Sequence, residues 1–273
     1  MKKMLSFQER FGSVRDLCFN LLRLSGTYLL LGLEESAIEC IQKGRKLTEE
    51  HFDSKLYLWF VLMDGYRERE FGDPKRAQEF FEETSAVAGR FEDKELKNWA
   101  LLGSADLAFE AGDVSECTSI LKQIESQNGG EEFEIRQELL RLQLRSLEKP
   151  DASIEEAFEE LEIRCEKGHL KEILWTVYHA WSKFLSRDCR RHFESKEVLS
   201  QGVQLCRSLA NSLPEEYRHR YLSQSLRKKL LDDWSALSNE IVQEGSKAAD
   251  SALSGFASAT ETMVEKDPFK ERK

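Results

Sequence analysis

Apolar side chains recur along this chain at steps of three and four residues, and short polar clusters containing glycine or aspartate interrupt them. In residues 98–111 the apolar positions fall on one helical face, Gly112-Asp113 stops the run, and residues 114–124 restart the 3.6-residue pattern. The pattern predicts pairs of helices joined by tight turns. Glycine suits such a turn because a helix end often needs a left-handed backbone, and Asp73 and Asp113 are placed to cap the helix that follows. Pro74 falls just inside its helix, where the missing N–H costs nothing.

The pairs repeat. Gly32, Gly72 and Gly112 are forty residues apart, and the same interval separates Ala37, Ala77, Cys117 and Ala157. Leu22, Leu62, Leu102 and Leu142 keep it too, and Phe19, Trp59, Trp99 and Leu139 form a bulky column expected to be buried between units. A lone helical hairpin leaves its apolar stripe in water, whereas stacked hairpins bury one another's, so the repeat is the structural unit. A fifth hairpin is predicted over 169–212, where the interval slips near residues 187–192. The expected organisation is repeats near 10–50, 51–90, 91–130, 131–168 and 169–212, closing helices over 214–245, and a flexible tail over 246–273 poor in large apolar residues.

These residues resemble the tetratricopeptide-repeat family. Trp99, Leu102 and Gly103 match its aromatic and Leu-Gly positions, Trp59, Leu62 and Tyr66 its aromatic, leucine and tyrosine, and Ala77 and Phe81 its second helix. Met63 stands where that family has glycine and Asp106 where it has tyrosine, and the forty-residue interval exceeds the family's thirty-four. Armadillo and HEAT repeats, with intervals near forty, are the structural rival. The run 213–222 is similar to the end of tetratricopeptide blocks in bacterial signalling proteins. The resemblance implies an all-α, right-handed superhelical solenoid of about five antiparallel hairpins, whose first helices line a concave groove. Carried onto matched positions, it implies a partner-binding set of Tyr57, Phe60, Asp64, Arg67, Glu68, Lys97, Ser104 and Gln137.

Composition agrees with helices and short turns, with 15 glycines and 4 prolines in 273 residues. The net charge of −10 argues against a general nucleic-acid binder. No run approaches the ~20 apolar residues a membrane helix needs, and charge interrupts the first apolar run too early for a secretory segment, so a cytoplasmic protein is expected. The six cysteines are scattered and read as small buried side chains. No phosphate-binding loop, nucleophile elbow or zinc-protease motif occurs, and the five histidines lack ligand spacing. His179, between Tyr178 and Trp181, reads as an interior histidine. The paired glutamates, such as Glu155-Glu156, read as solvated helix faces. Neither an enzyme, a metal nor a cofactor is expected.

Function is therefore expected at the surface, as a scaffold or adaptor holding a protein or peptide, with a regulatory module of a bacterial signalling kinase or transcription regulator as the alternative. Residues 187–229 hold ten basic and five acidic side chains, against the acidic remainder. Arg187, Arg190, Arg191, Arg218, Arg220, Arg227, Lys228 and Lys229 are expected to form a basic face for an acidic partner, another copy of the chain included.

Overall fold

The computed structural model describes residues 13–124, 130–148, 151–187 and 191–239. Eleven helices have both ends within these segments: α1 (Val14–Leu30), α2 (Glu34–Glu50), α3 (Ser54–Phe71), α4 (Pro74–Arg90), α5 (Lys94–Glu110), α6 (Val114–Gln123), α7 (Gly130–Glu148), α8 (Ala152–Lys167), α9 (Lys171–Leu185), α10 (His192–Ser212) and α11 (Glu215–Leu222). A further helix, α12, covers 225–239, and no strand occurs among the described residues. The expected tail over 246–273 and the end of the closing helices lie outside them.

Local signals set the helix starts. The side chains of Ser13, Asp53, Asp93 and Asp113 each accept from the backbone N–H three residues on, and Asp73 accepts from that of Lys75. The hairpin turns at Gly32 and Gly112 use left-handed backbone, φ +72° and +79°. Gly72 departs from that expectation, with φ −123°. It is needed for a different reason: a Cβ there would lie 1.9 Å from Glu68 Oε2, the atom that accepts the Asp73 N–H.

Each helix packs on the next, and the first helices also pack on one another, α1 on α3, α3 on α5, α5 on α7 and α7 on α9. Second helices meet one another far less. A stack held closer on one side curves toward that side, so the first helices form the inner layer of an all-helical repeat solenoid. The second helices bury a four-step ladder: Ala37, Ile41, Gly44 and Thr48 on α2, Ala77, Phe81, Thr84 and Ala88 on α4, then Ile154, Phe158, Leu161 and Cys165 on α8. Ser195, Leu199, Gly202 and Cys206 repeat it on α10.

That ladder corrects the fourth repeat. Cys117 and Ile154 are equivalent and lie thirty-seven residues apart, as do the equivalent Leu96 and Phe133. Ala157 is only partly buried, and Leu139 corresponds to Leu102 rather than to Trp99. The forty-residue interval thus holds for three units, after which the fourth is set three residues forward.

The array ends by turning back on its start. Tyr221, Leu230 and Leu237 join Trp175, Leu199, Val203, Cys206 and Ala210 in one core cluster, with Leu31 of the first hairpin turn packed against it. Gln224 Nε2 donates to the Leu29 carbonyl and Arg227 to that of Leu30 at 3.2 Å, linking positions nearly two hundred residues apart. Ser225 donates to Glu70 at 3.2 Å through both its N–H and its hydroxyl. The backbone of Arg220 comes so close to Gly32 that a Cβ there would sit 3.0 Å from its carbonyl oxygen.

Candidate interaction site

The inner layer determines which residues a partner meets, and α3 shows its orientation. Phe60 lies over Gly44 of α2, and Gly65 lies under Phe81 of α4. Arg45 of α2 reaches the Tyr57 hydroxyl and, at 2.8 Å, Asp64. Arg67 meets Glu34 of α2 at 3.4 Å and Glu68 at 2.5 Å, and Arg76 of α4 joins Glu68 at 3.2 Å. Those two flanks are core. A further arc of α3 carries Trp59, Met63, Tyr66 and Glu70, all partly exposed.

The expected binding set is therefore turned toward the packing side. Phe60, Glu68, Ser104 and Gln137 are buried and offer no surface to a partner. Tyr57, Asp64 and Arg67 are half-buried and engaged across the α2–α3 contact, where burial of Arg67 is outweighed by Glu68 and Asp64, raising its pKa. Lys97, one unit on from Tyr57, is half-buried at the corresponding place on α5. The bulky column in turn is not the interior: Phe19 is 45% exposed, and Trp59 and Trp99 are partly exposed. Among the fully buried aromatics is instead Phe81, whose ring fills the space between Gly65 and Gly103.

On the open face, Phe19, Trp59 and Trp99 occupy one position on α1, α3 and α5. Trp99 leans on Phe133 edge to face, with centroids 5.1 Å apart. The Arg15 guanidinium lies 5.8 Å from the Phe19 ring centre. Beside the row, Arg69 of α3 bonds Asp106 and Glu110 of α5, each at 2.6 Å, and the Tyr66 hydroxyl donates to the Trp99 carbonyl at 3.3 Å. Burial foremost, with Asp106 adding, raises the Tyr66 phenol. Burial works against the Arg69 charge, but Asp106 and Glu110 outweigh it and the guanidinium pKa is raised. In the sequence the only signal of this face is the aromatic column itself, whose bulk and spacing read as core.

The closing segment borders the same face. Asp233 of α12 accepts from His179 Nε2 at 2.7 Å and pairs with Lys183 at 3.2 Å. Arg227 is buried, paired with Glu172 at 3.0 Å and lying 3.7 Å from the Tyr221 ring centre.

These contacts also break up the expected basic face. Arg227 is interior, Arg187 donates to the Ser146 carbonyl, and Arg191 grips both oxygens of Glu155 at 2.9 and 2.7 Å. The Glu155 carboxyl is held low, chiefly by that hydrogen bond. Arg190 lies outside the described residues. Arg218, Arg220, Lys228 and Lys229 are exposed.

Cys18, Cys40, Cys117, Cys165 and Cys206 are free and buried, and burial pushes each thiol up. Cys189 lies outside the described residues. No group of three or more His, Cys, Asp or Glu among the described residues is placed to hold a metal, and no described helix is long and apolar enough to cross a membrane. The fold and face define a class, an all-helical repeat solenoid with an aromatic inner surface. No family model matches the chain, and no curated protein does.

Proposed function

We propose that this chain is a tetratricopeptide-type scaffold or adaptor in the cytoplasm, holding a protein or peptide partner against the inner face of its first helices. The carrying observation is the row of Phe19, Trp59 and Trp99, three partly open aromatics at one position on successive helices of the curved side. Aromatic side chains bring large contact area at modest entropic cost, and a contiguous exposed apolar strip marks an interaction surface. Capping aspartates at the start of consecutive helices and the small-residue ladder of the second helices support the tetratricopeptide reading. No catalytic role is proposed.

The experiment is an affinity purification from the native cell with wild type and with Phe19→Ala plus Arg23→Glu, both exposed positions of α1. A partner lost from the variant, with the helical circular-dichroism signal unchanged, supports the reading. An identical partner set in both moves the site off the inner face.

The return of residues 224–233 onto the first hairpin and α9 supports a second reading, a regulatory module whose closing segment and partner compete for one face. The exposed Arg218, Arg220, Lys228 and Lys229 leave a smaller basic surface for an acidic segment or another copy. Association there weakens with salt, because exposed charges are screened within ~8 Å at physiological ionic strength.

A further inference from the structure

The spacing and chemistry of the aromatic row restrict the conformation of the segment it accepts, an inference that rests on the inner-face reading above. Packed helices lie ~8–10 Å apart, so Phe19, Trp59 and Trp99 present one aromatic edge about every 8–10 Å along the array. A ligand lying across them needs an apolar group on one side at that interval. A β-strand rises ~3.3 Å per residue with side chains on alternate faces, so same-side groups fall near 6.6 or 13 Å and miss. A polyproline-II segment rises ~3.1 Å per residue with three residues per turn, which returns every third side chain to one face at about 9.3 Å. An α-helix matches only at every seventh residue, ~10.5 Å, and its backbone carbonyls are already bonded.

The tryptophan donors separate the last two. The Trp175 indole N–H donates to Glu172, and those of Trp181 and Trp234 are buried without a partner among the described residues. The indole N–H groups of Trp59 and Trp99 have no partner among the described residues and are not buried. An indole N–H can only donate, so each asks for an acceptor on the ligand. A polyproline-II backbone, with no internal hydrogen bonds, offers free carbonyls beside every contact side chain.

Charge sets the direction. Arg15, Arg23 and Lys55 are exposed beside the α1 and α3 end of the row, and Glu95 is exposed beside its α5 end. Farther along, Arg69 already answers Asp106 and Glu110, and Arg136 answers Glu132 at 3.0 Å. Arg15 lies over Phe19 and 4.0 Å from Asp53, so the exposed cations of the α1 and α3 end with no ion pair among the described residues are Arg23 and Lys55, against the one exposed acid Asp16.

We propose that the inner face binds a polyproline-II segment carrying proline or another apolar residue at every third position, with acidic residues at the end that lies over α1. The hydrogen bonds run from the indole N–H groups of Trp59 and Trp99 to ligand carbonyls.

Fluorescence polarisation on the full chain tests this with four labelled twelve-residue peptides. One carries four prolines, at every third residue, and an acidic end over the α1 side, one the same residues with the four prolines brought together at every second position, one the first peptide with its charged end reversed, and one a helix former with leucine at every seventh. The first peptide is expected to bind at least tenfold tighter than the second and fourth, and severalfold tighter than the third. Trp59→Phe with Trp99→Phe, which keeps a packing ring and removes the donors, is expected to weaken the first peptide severalfold, as is the surface change Arg23→Glu, each without loss of helical signal. Equal binding of all four peptides, preference for the helix former, or no effect of removing the donors overturns the proposal. If no peptide binds yet a cellular partner is lost with Phe19→Ala and Arg23→Glu, the polyproline-II inference fails while the inner-face reading stands. If that partner is retained, both fail.

Discussion

A methyl group added to Gly65 or Gly103 lands 2.6 or 2.7 Å from the Phe81 ring, closer than real Cβ atoms approach anything. Glycine to alanine inside a helix ordinarily gains ~1 kcal/mol, whereas overpacking a filled core costs ~1–3 kcal/mol. The clash wins here, because both first helices close on one buried ring. Gly65→Ala and Gly103→Ala should each lower stability by about 1–2 kcal/mol, while Gly26→Ala, in α1 with nothing within 4 Å, should raise it by up to ~1 kcal/mol. Thermal melts in which all three substitutions shift the midpoint in one direction would refute the packing of Phe81. Backbone conformation gives a second case. Phe52 sits at φ +55° in the α2–α3 turn with its side chain 92% exposed, so replacing it forfeits almost no packing. The left-handed region costs an L side chain ~1–2 kcal/mol, and glycine returns part of that gain as chain entropy. Phe52→Gly should therefore stabilise by about 0.5–1 kcal/mol in denaturant titration, and a loss of stability would show that the exposed ring makes a contact this arrangement lacks.

At the scale of helices, the sequence displayed the hairpins, their capping aspartates and the forty-residue interval of the first three units, because those signals are local. It hid the orientation of the inner helices. α3 and α5 touch second helices on two sides and first helices on two others, so apolar side chains such as Leu56, Leu58, Phe60, Val61 and Leu62 nearly encircle α3 and leave no clear polar face. Trp59 was bulky enough to read as core, yet it sits half-open at the seam between neighbouring first helices. The three-residue advance of the fourth unit was hidden by chance: Leu139 and Leu142 are apolar under either alignment. The second helix discriminates, because Ile154 occupies the buried place of Ala37, Ala77 and Cys117, and Ala157 does not. Ile154→Ala should cost ~2–4 kcal/mol by opening a cavity, and Ala157→Ser should stay within about 0.5 kcal/mol. Urea unfolding with the two costs reversed would restore the forty-residue alignment and the burial of Ala157 with it.

For the molecule as a whole, the return of the closing helices onto the first hairpin was beyond any local pattern, since Arg227 reads as one more basic residue until the fold brings Glu172 and the Leu30 carbonyl to it. Breaking a buried ion pair costs ~3–5 kcal/mol where the fold must absorb it, but a terminal segment can escape that cost by detaching. Arg227→Ala should then leave the global melting midpoint nearly unchanged while amide exchange across 221–237 accelerates, and uniform protection there would show the closure does not depend on this side chain. A weaker anchor of the same closure carries a pH signature. Burial foremost, with Lys183 and Lys229 facing the ring, holds His179 below the ordinary imidazole range despite its bond to Asp233. Burial lowers Lys183 as well, and the bond from His179 holds Asp233 down to about 2. A histidine with a depressed folded pKa favours its neutral form, so its contribution is complete above the unfolded value of ~6.5 and is lost as pH falls through the folded one. The Asp233 contribution survives until pH drops below ~4, the ordinary carboxylate range, so between pH 7 and pH 5 the imidazole alone changes state among these groups. Amide protection of α12, corrected for intrinsic exchange, should decline over that interval in the wild type and stay level in His179→Gln, which keeps an N–H for Asp233 but cannot take up a proton. Parallel declines in both proteins would place the titrating group elsewhere in the closure.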